Sequence, residues 1–299
     1  LAYSQSAEVA IVGCGPAGIA AAIQLKRMDI DLLVFERHRI GGLLANANLV
    51  ENYPGYPAGI PGAELVHLME KHLKAHAAEV IFHEASKLRH SGEGFTIAAG
   101  GEVFKAAITV LATGTKATSP DGVRIEAAAR PMVLHEIVPI AGACDEEIVI
   151  VGAGDAAFDY AINLGRRNRV TILNRTDHVR CLGILRERAD VLQSIAYLPK
   201  TVIVGVTRAS QNRLSIECRS AGKDIVLEAH HLVFAIGRKP ELGLLSGPLL
   251  ESQVRLCEEG LLYLIGDVTR GQMRQTAIAV GDGVRAAIEI SDKLRKRDR

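Results

Sequence analysis

The chain has no C-x-x-C pair. Its five cysteines, Cys14, Cys144, Cys181, Cys218 and Cys257, are scattered and odd in number. That argues against a disulfide framework and against a cysteine zinc site. It has almost no net charge: a formal +1 over 299 residues gives no global pull toward nucleic acid or a membrane surface. No apolar run approaches the ~20 residues needed to span a bilayer, so no membrane span is expected. The opening LAYSQSAEV lacks a basic n-region and an apolar h-region, which predicts no signal peptide and a cytoplasmic protein. His67, His72 and His76 have no carboxylate or thiol arranged with them, so they read as a solvated helix face rather than a metal site. The basic end, KLRKRDR, reads as a solvated helix end.

What is present is enough chain for two domains, with 48% apolar and 23% charged residues, a globular balance. EVAIVG is a buried strand, Pro16 to Lys26 a helix, and DIDLLVFER a second strand ending on Glu36. A loop rich in Gly, Asn and Pro follows from Gly41 to Gly62, then a helix over Glu64 to Ala77. Short strand-like segments broken by SGEG and AGG run from Val80 to Phe104, and AAITVLATG closes on Gly114. From Glu147 the plan restarts. A strand, a glycine turn, a helix over Ala156 to Gly165 and the strand RVTILNR come first. The segments TVIVGVT, RLSIEC and DIVLEA and a closing strand, HLVFAIG, follow. The last stretch, LLYLIGDV to the terminal helix, returns to the first plan. The expectation is an α/β protein of two Rossmann-like, three-layer ββα dinucleotide-binding domains, one inserted in the other. The first covers 1–117 and 241–299, the second 118–240.

Each plan opens with a glycine cradle between strand and helix. Gly13, Gly15 and Gly18 form G-x-G-x-x-G, where glycine permits the tight turn and the approach of a pyrophosphate to the helix N-terminus. Glu36, at the end of the second strand, is placed to accept hydrogen bonds from ribose hydroxyls and to repel a 2′-phosphate. This cradle asks for FAD or NAD. Gly152, Gly154 and Ala157 form the second cradle, G-x-G-x-x-A. Its strand end reads Asn174-Arg175-Thr176-Asp177-His178-Val179-Arg180, with two arginines that suit a 2′-phosphate and no acid at the strand end itself. That favours NADPH and leaves NADH open. Two different dinucleotides on one chain suggest that electrons pass between them, as a flavin permits.

In combination these segments resemble the low-molecular-weight thioredoxin reductases and their flavoprotein relatives, nearly end to end. The resemblance is carried by GCGPAG, by Gly41-Gly42 with Glu51-Asn52-Tyr53-Pro54-Gly55, by Ala112-Thr113-Gly114, by GAGDAA with Asp155, by Gly266-Asp267-Val268, and by Arg274-Gln275 with AIAVGDGVRAA. It implies FAD held by Gly13, Gly15, Pro16, Ala17, Gly18, Glu36, Gly42, Leu43, Asn52, Ala112, Gly114, Gly266, Asp267, Arg274, Gln275 and Thr276. Asp267 would bond the ribityl chain, and the helix beginning near Gln275 and Thr276 would aim its N-terminus at the flavin O2 edge. It implies NADPH or NADH held by Gly152, Gly154, Asp155, Ala156, Asn174, Arg175, Arg180, Ile236 and Gly237. Leu43 stands where the family has glutamine, and Thr176 replaces one of its arginines. The resemblance also suggests a homodimer.

The largest departure is chemical. Where those reductases carry a C-x-x-C pair, about 14 residues before the second cradle's first glycine, this chain reads His135-Glu136-Ile137-Val138. A disulfide relay needs one thiol to attack and one to resolve. The expectation is therefore an FAD-dependent NAD(P)H oxidoreductase. It passes electrons directly to an external acceptor: a quinone, a small disulfide, oxygen or a redox protein. His135 is a catalytic candidate by position alone. A ferredoxin–NAD(P) reductase of the same general type is one alternative, with basic clusters at Arg166–Arg169 and Arg186–Arg188 for an acidic partner. A non-catalytic flavin-binding redox sensor is the other.

Overall fold

A computed structural model describes residues 5–297 of the chain, Arg297 by its backbone alone. Residues 1–4 and 298–299, which belong to the expected first domain and the basic end, lie outside the described residues. The chain divides into two compact units. Unit 1 is Leu1–Ala45, Val50–Lys116 and Lys239–Arg299; unit 2 is Asn46–Leu49 and Ala117–Arg238. Both are α/β.

In unit 1 the strand Gln5–Val12 lies between Leu32–Phe35 and Glu102–Leu111, parallel to both. Val80–Ile81 extends the sheet on one side and Leu262–Leu264 on the other. The first part of Glu102–Leu111 also pairs antiparallel with Gly94–Ala99, which pairs with Ala85–Ser91. Alternation along the first strand feeds two cores. Val9 and Ile11 pack under the helices Pro16–Arg27, Gly62–Ala75 and Thr276–Arg297. Ala10 and Val12 pack on the other side with Phe35, Phe95 and Phe104 of the meander region. Helices, parallel sheet and meander thus form the three layers expected.

Unit 2 repeats the arrangement. Its parallel sheet runs Ile195–Leu198, Arg169–Leu173, Glu147–Val151, His231–Phe234, Val133–Leu134. Ile148 and Ile150 face the helix Asp155–Gly165, while Val149 faces the second sheet, Thr201–Ser210, Arg213–Ser220, Lys223–Ala229 and Arg124–Ile125.

The differences from the sequence reading are small and physical. The second strand of unit 1 stops at Phe35, and the Glu36 side chain turns to the cradle. The closing strands end at Leu111 and Phe234, before the glycines. Several elements were not expected, among them the strands Arg124–Ile125, Val133–Leu134 and Ile195–Leu198 and the helices Gly183–Asp190 and Pro248–Glu258.

Candidate functional site: two cradles

The first cradle is a turn tied on three sides. Gly13 N donates to Phe35 O (2.8 Å), Ala112 N to Val12 O (2.8 Å) and Gly41 N to Cys14 O (2.8 Å). Gly13 has φ +103°, and a Cβ there would lie 2.3 Å from Ala112 O; one at Gly18 would lie 2.0 Å from Gly13 O. Only glycine lets strand, turn and helix close this tightly. Gly15 is different: a Cβ there would meet nothing within 4 Å. The space in front of it opens onto the helix Pro16–Arg27, whose N-terminus has no side-chain cap and no acid in its first turn. Uncapped amides facing open space fit a pyrophosphate. Glu36 is held beside the turn, accepting from Cys14 N (2.9 Å) and His38 N (2.9 Å). A carboxylate has about four lone-pair sites, so acceptors remain for ribose hydroxyls.

The second cradle repeats the same three ties. Gly152 N donates to Leu173 O (2.9 Å), Ala235 N to Val151 O (2.8 Å) and Arg180 N to Ala153 O (2.8 Å). A Cβ on Gly152 would lie 2.4 Å from Ala235 O, whereas one on Gly154 would meet nothing within 4 Å. Here too the middle glycine leaves room for a diphosphate. The ribose end differs. Asn174 stands in the place of Glu36, but it is buried and committed to its own loop. Its amide donates to His178 O (3.0 Å) and Tyr197 Oη (2.9 Å), and its Oδ1 accepts from Thr176 N (3.3 Å). Arg175 and Arg180 are exposed, with no side-chain hydrogen bond or ion pair among the described residues. Asp155 accepts from Leu182 N (2.8 Å), fixing the chain after Arg180; Ala156, Ile236 and Gly237 are exposed.

The remaining FAD candidates lie within unit 1. Gly266, at φ +73°, opens the turn Gly266–Val268 that carries Asp267. Its N–H is accepted by Asp282 Oδ2 (3.1 Å), and that buried carboxylate also takes Arg270 Nε (2.8 Å) and the Arg270 amino group. Asn52 Nδ2 donates to Gln275 Oε1 (2.7 Å), bringing two candidates together ahead of the helix that starts at Thr276. Gly42 sits against Gly15, its added Cβ falling 3.5 Å from the Gly15 Cα. Leu43 is half-buried on the turn Gly42–Asn46, Ala112 is buried behind the cradle, and Gly114 has φ +63°. Arg270 and Asp282 were not among the expected site residues. Asp282 lay inside the motif AIAVGDGVRAA, and its only signal was an acid among the small and apolar residues that open the terminal helix.

The segment His135-Glu136-Ile137-Val138 holds no sulfur. His135 is half-buried, its ring 6.0 Å from that of Phe234, and its Nδ1 has no hydrogen-bond partner among the described residues. Within unit 2, Asn46 Oδ1 accepts from Ile137 N (2.9 Å) and Val138 N (3.1 Å), and Arg238 lies 3.6 Å from Glu136. All five cysteines are free thiols. Burial, reinforced by Glu36, pushes Cys14 up to about 12, and burial pushes Cys218 up to about 11. A hydrogen bond to Asp145 raises Cys144, and burial raises Cys181 and Cys257. None is poised as a thiolate at neutral pH. Arginines of both basic clusters are engaged locally, Arg169 with Glu147 among them. Arg186 stacks 4.5 Å over Tyr197 and pairs with Asp190, and Arg167 donates to Ala141 O.

A family model for pyridine nucleotide-disulphide oxidoreductases matches residues 7–283. A thioredoxin reductase of Mycolicibacterium smegmatis is 31% identical over 310 aligned positions, covering 97% of this chain and 97% of that protein. Among solved structures, the thioredoxin reductase of Lactococcus lactis superposes with a TM-score of 0.83 at 25% identity, over 96% of this chain and 98% of that one. The bacillithiol disulfide reductase Bdr from Bacillus cereus has a TM-score of 0.76 at 17% identity, over 97% of this chain and 100% of that one, and shares the fold.

Proposed function

The chain belongs to the pyridine nucleotide-disulphide oxidoreductase family, and from that premise we propose an FAD-dependent oxidoreductase that oxidises NADPH and reduces an external acceptor without an internal disulfide relay. FAD, when bound, supplies hydride acceptance from a nicotinamide and onward transfer of one or two electrons. The chain's own residues bind and orient. Gly15 and the uncapped helix behind it would admit the FAD pyrophosphate, and Glu36 would hold the ribose hydroxyls. Asp282 and Arg270 fix the Gly266 turn, from which Asp267 would reach the ribityl chain. Gly154 would admit the second diphosphate, and Arg175 and Arg180 would meet a 2′-phosphate.

One observation carries the reading: the same three-bond cradle occurs twice, with a carboxylate at one ribose end and uncommitted arginines at the other. The absence of a relay is supported by the lack of a cysteine pair and by thiols that are all raised. The acceptor falls among quinones, small disulfides, oxygen and redox proteins.

The test is an anaerobic titration of the FAD-loaded protein with NADPH and then NADH, followed by acceptor assays. NADPH is expected to bleach the flavin, and thioredoxin disulfide is expected to stay oxidised. Bleaching by neither nicotinamide would remove the enzyme reading. Sustained thioredoxin reduction that is lost in Cys144→Ser would remove the claim that the electrons leave without a relay.

A further inference from the structure

The ribose end of the second cradle holds a cation that no motif points to. Lys200 follows the strand Ile195–Leu198 and is tied backbone to backbone to the loop carrying the arginines. Lys200 N donates to Thr176 O (3.1 Å), and the next amide, Thr201 N, donates to Asn174 O (2.8 Å). Arg175 lies between those two anchored carbonyls, so it and Lys200 stand on adjoining backbone segments. The Lys200 ammonium reaches 3.0 Å from Asp177, two residues beyond Arg175. Both groups are exposed.

Two features are hard to explain as structure alone. Lys200 has φ +51°, left-handed backbone that glycine or asparagine enters readily and a long side chain does not. Its backbone is held there on three sides, since Ala221 N also donates to Lys200 O (3.0 Å). An unfavourable residue kept at a fully anchored position near a binding loop points to use of its side chain. The ion pair with Asp177 is no sufficient reason, because an exposed pair adds little stability.

We propose that Lys200 is a second reader of the ribose 2′-phosphate in the unit 2 cradle, acting with Arg175. The inference rests on the NADPH reading above. A phosphate monoester carries about −1.5 to −2 charge at pH 7 and is poorly matched by one cation. Thr176, between Arg175 and Asp177, brings no charge, and the Asp177 carboxylate would repel the phosphate. The Lys200 ammonium answers both problems. In the free protein it neutralises Asp177. With a nucleoside 2′-phosphate bound, its flexible four-carbon stem lets it exchange that exposed carboxylate for the more highly charged phosphate.

The experiment compares 2′,5′-ADP with 5′-ADP by calorimetry on the flavin-loaded protein, in wild type, Lys200→Gly and Lys200→Arg, with thermal melts of each. Lys200→Gly is expected to weaken 2′,5′-ADP roughly tenfold, the loss of one charge-assisted bond to phosphate. It should leave 5′-ADP unchanged and leave the melting temperature equal or higher, because the backbone strain is relieved. Lys200→Arg should keep most of the preference. Binding of 2′,5′-ADP within twofold of wild type in Lys200→Gly would overturn the role of Lys200 while leaving the NADPH reading standing. A lower melting temperature with no selective loss of 2′,5′-ADP would make Lys200 a structural residue. A wild type that binds both nucleotides equally, or neither, would remove the NADPH reading and this inference with it.

Discussion

Gly15 and Gly18 lie three residues apart in the first cradle and should answer an added side chain in opposite ways. Gly18 is packed on the turn, so Gly18→Ala puts a methyl 2.0 Å from Gly13 O and must displace backbone. Its expected effect is a stability loss of about 1–3 kcal/mol, read by denaturant unfolding. Gly15 faces open space at an ordinary φ of −77°, so Gly15→Val is expected to fold with wild-type stability. What it fills is the space a pyrophosphate needs. FAD affinity, measured by flavin fluorescence on reconstitution, is expected to fall roughly 10- to 100-fold, the loss of about 1.5–3 kcal/mol of phosphate hydrogen bonding. A Gly15→Val protein that binds FAD normally would remove the cradle assignment. At this scale the sequence was informative where chemistry is local. Glycines three apart after an apolar strand, and an acid at the next strand end, declare themselves without any long-range knowledge. The commitment of Asn174 to His178 and Tyr197, by contrast, depends on a neighbouring strand. No spacing shows whether an amide points at a ligand or at its own loop.

Between elements, the C-terminal helix governs the turn that carries Asp267. Asp282 reaches from Thr276–Arg297 to the Gly266 amide and to Arg270, while Gly283, next along, lets the helix press on Ala17 of the first cradle's helix: a Cβ there would lie 2.2 Å from Ala17 O. One turn of helix therefore touches both the first cradle's helix and the Gly266 turn. Asp282→Ala strands Arg270 and the Gly266 N–H. The stability loss is expected to fall below the roughly 3–5 kcal/mol of a fully buried pair, because Arg270 is 33% exposed. Asp282→Asn retains an acceptor for Gly266 N and should lose less. Both should release FAD faster than wild type, with a shifted flavin absorption spectrum. Equal FAD release in all three proteins would leave Asp282 as a packing residue only. The strand, glycine and helix openings of both units were legible because period and punctuation coincide there. Gly183–Asp190 was missed because it is short, polar and uncapped by any side chain. Pro248–Glu258 did carry a start signal, proline at its first position after Gly247, that strand-hunting passed over. The Arg270–Asp282 pair was illegible because twelve residues of turn and helix separate its members, and only the fold sets where they meet.

At the scale of the whole molecule, three buried acids make stability depend on alkaline pH. Cys14 is raised from 9.0 to about 12, Cys218 from 9.0 to about 11, and Tyr160 from 10.0 to about 12, burial being the largest cause in each. Each pKa is higher in the folded state than in the unfolded one. Below pH 9 all three are protonated in both states, and their contribution is fully present. Above pH 9 the unfolded thiols ionise while the folded ones keep their protons, so the unfolded state is favoured increasingly as pH rises. Tyr160 joins near pH 10, Cys218 stops contributing to the slope near 11, and the other two near 12. Each group adds about 1.4 kcal/mol per pH unit within its window. Between pH 10 and 11 two such groups in one domain remove about 3 kcal/mol and one removes about 1.4 kcal/mol, against the 5–15 kcal/mol that holds a typical domain together. The two groups of residues differ in where the acids lie: Cys14 sits in unit 1, and Cys218 and Tyr160 in unit 2. Unit 2 should therefore lose two groups' worth of stability per pH unit where unit 1 loses one. Urea unfolding at half-unit steps from pH 8 to 11 measures this. Cys218→Ala with Tyr160→Phe should flatten the slope of the unit 2 transition while leaving the slope of unit 1 intact, whatever either substitution does to stability at pH 8. A slope in the double variant as steep as in wild type would mean that these groups ionise together with the rest of the surface and that their burial does not govern the alkaline limit.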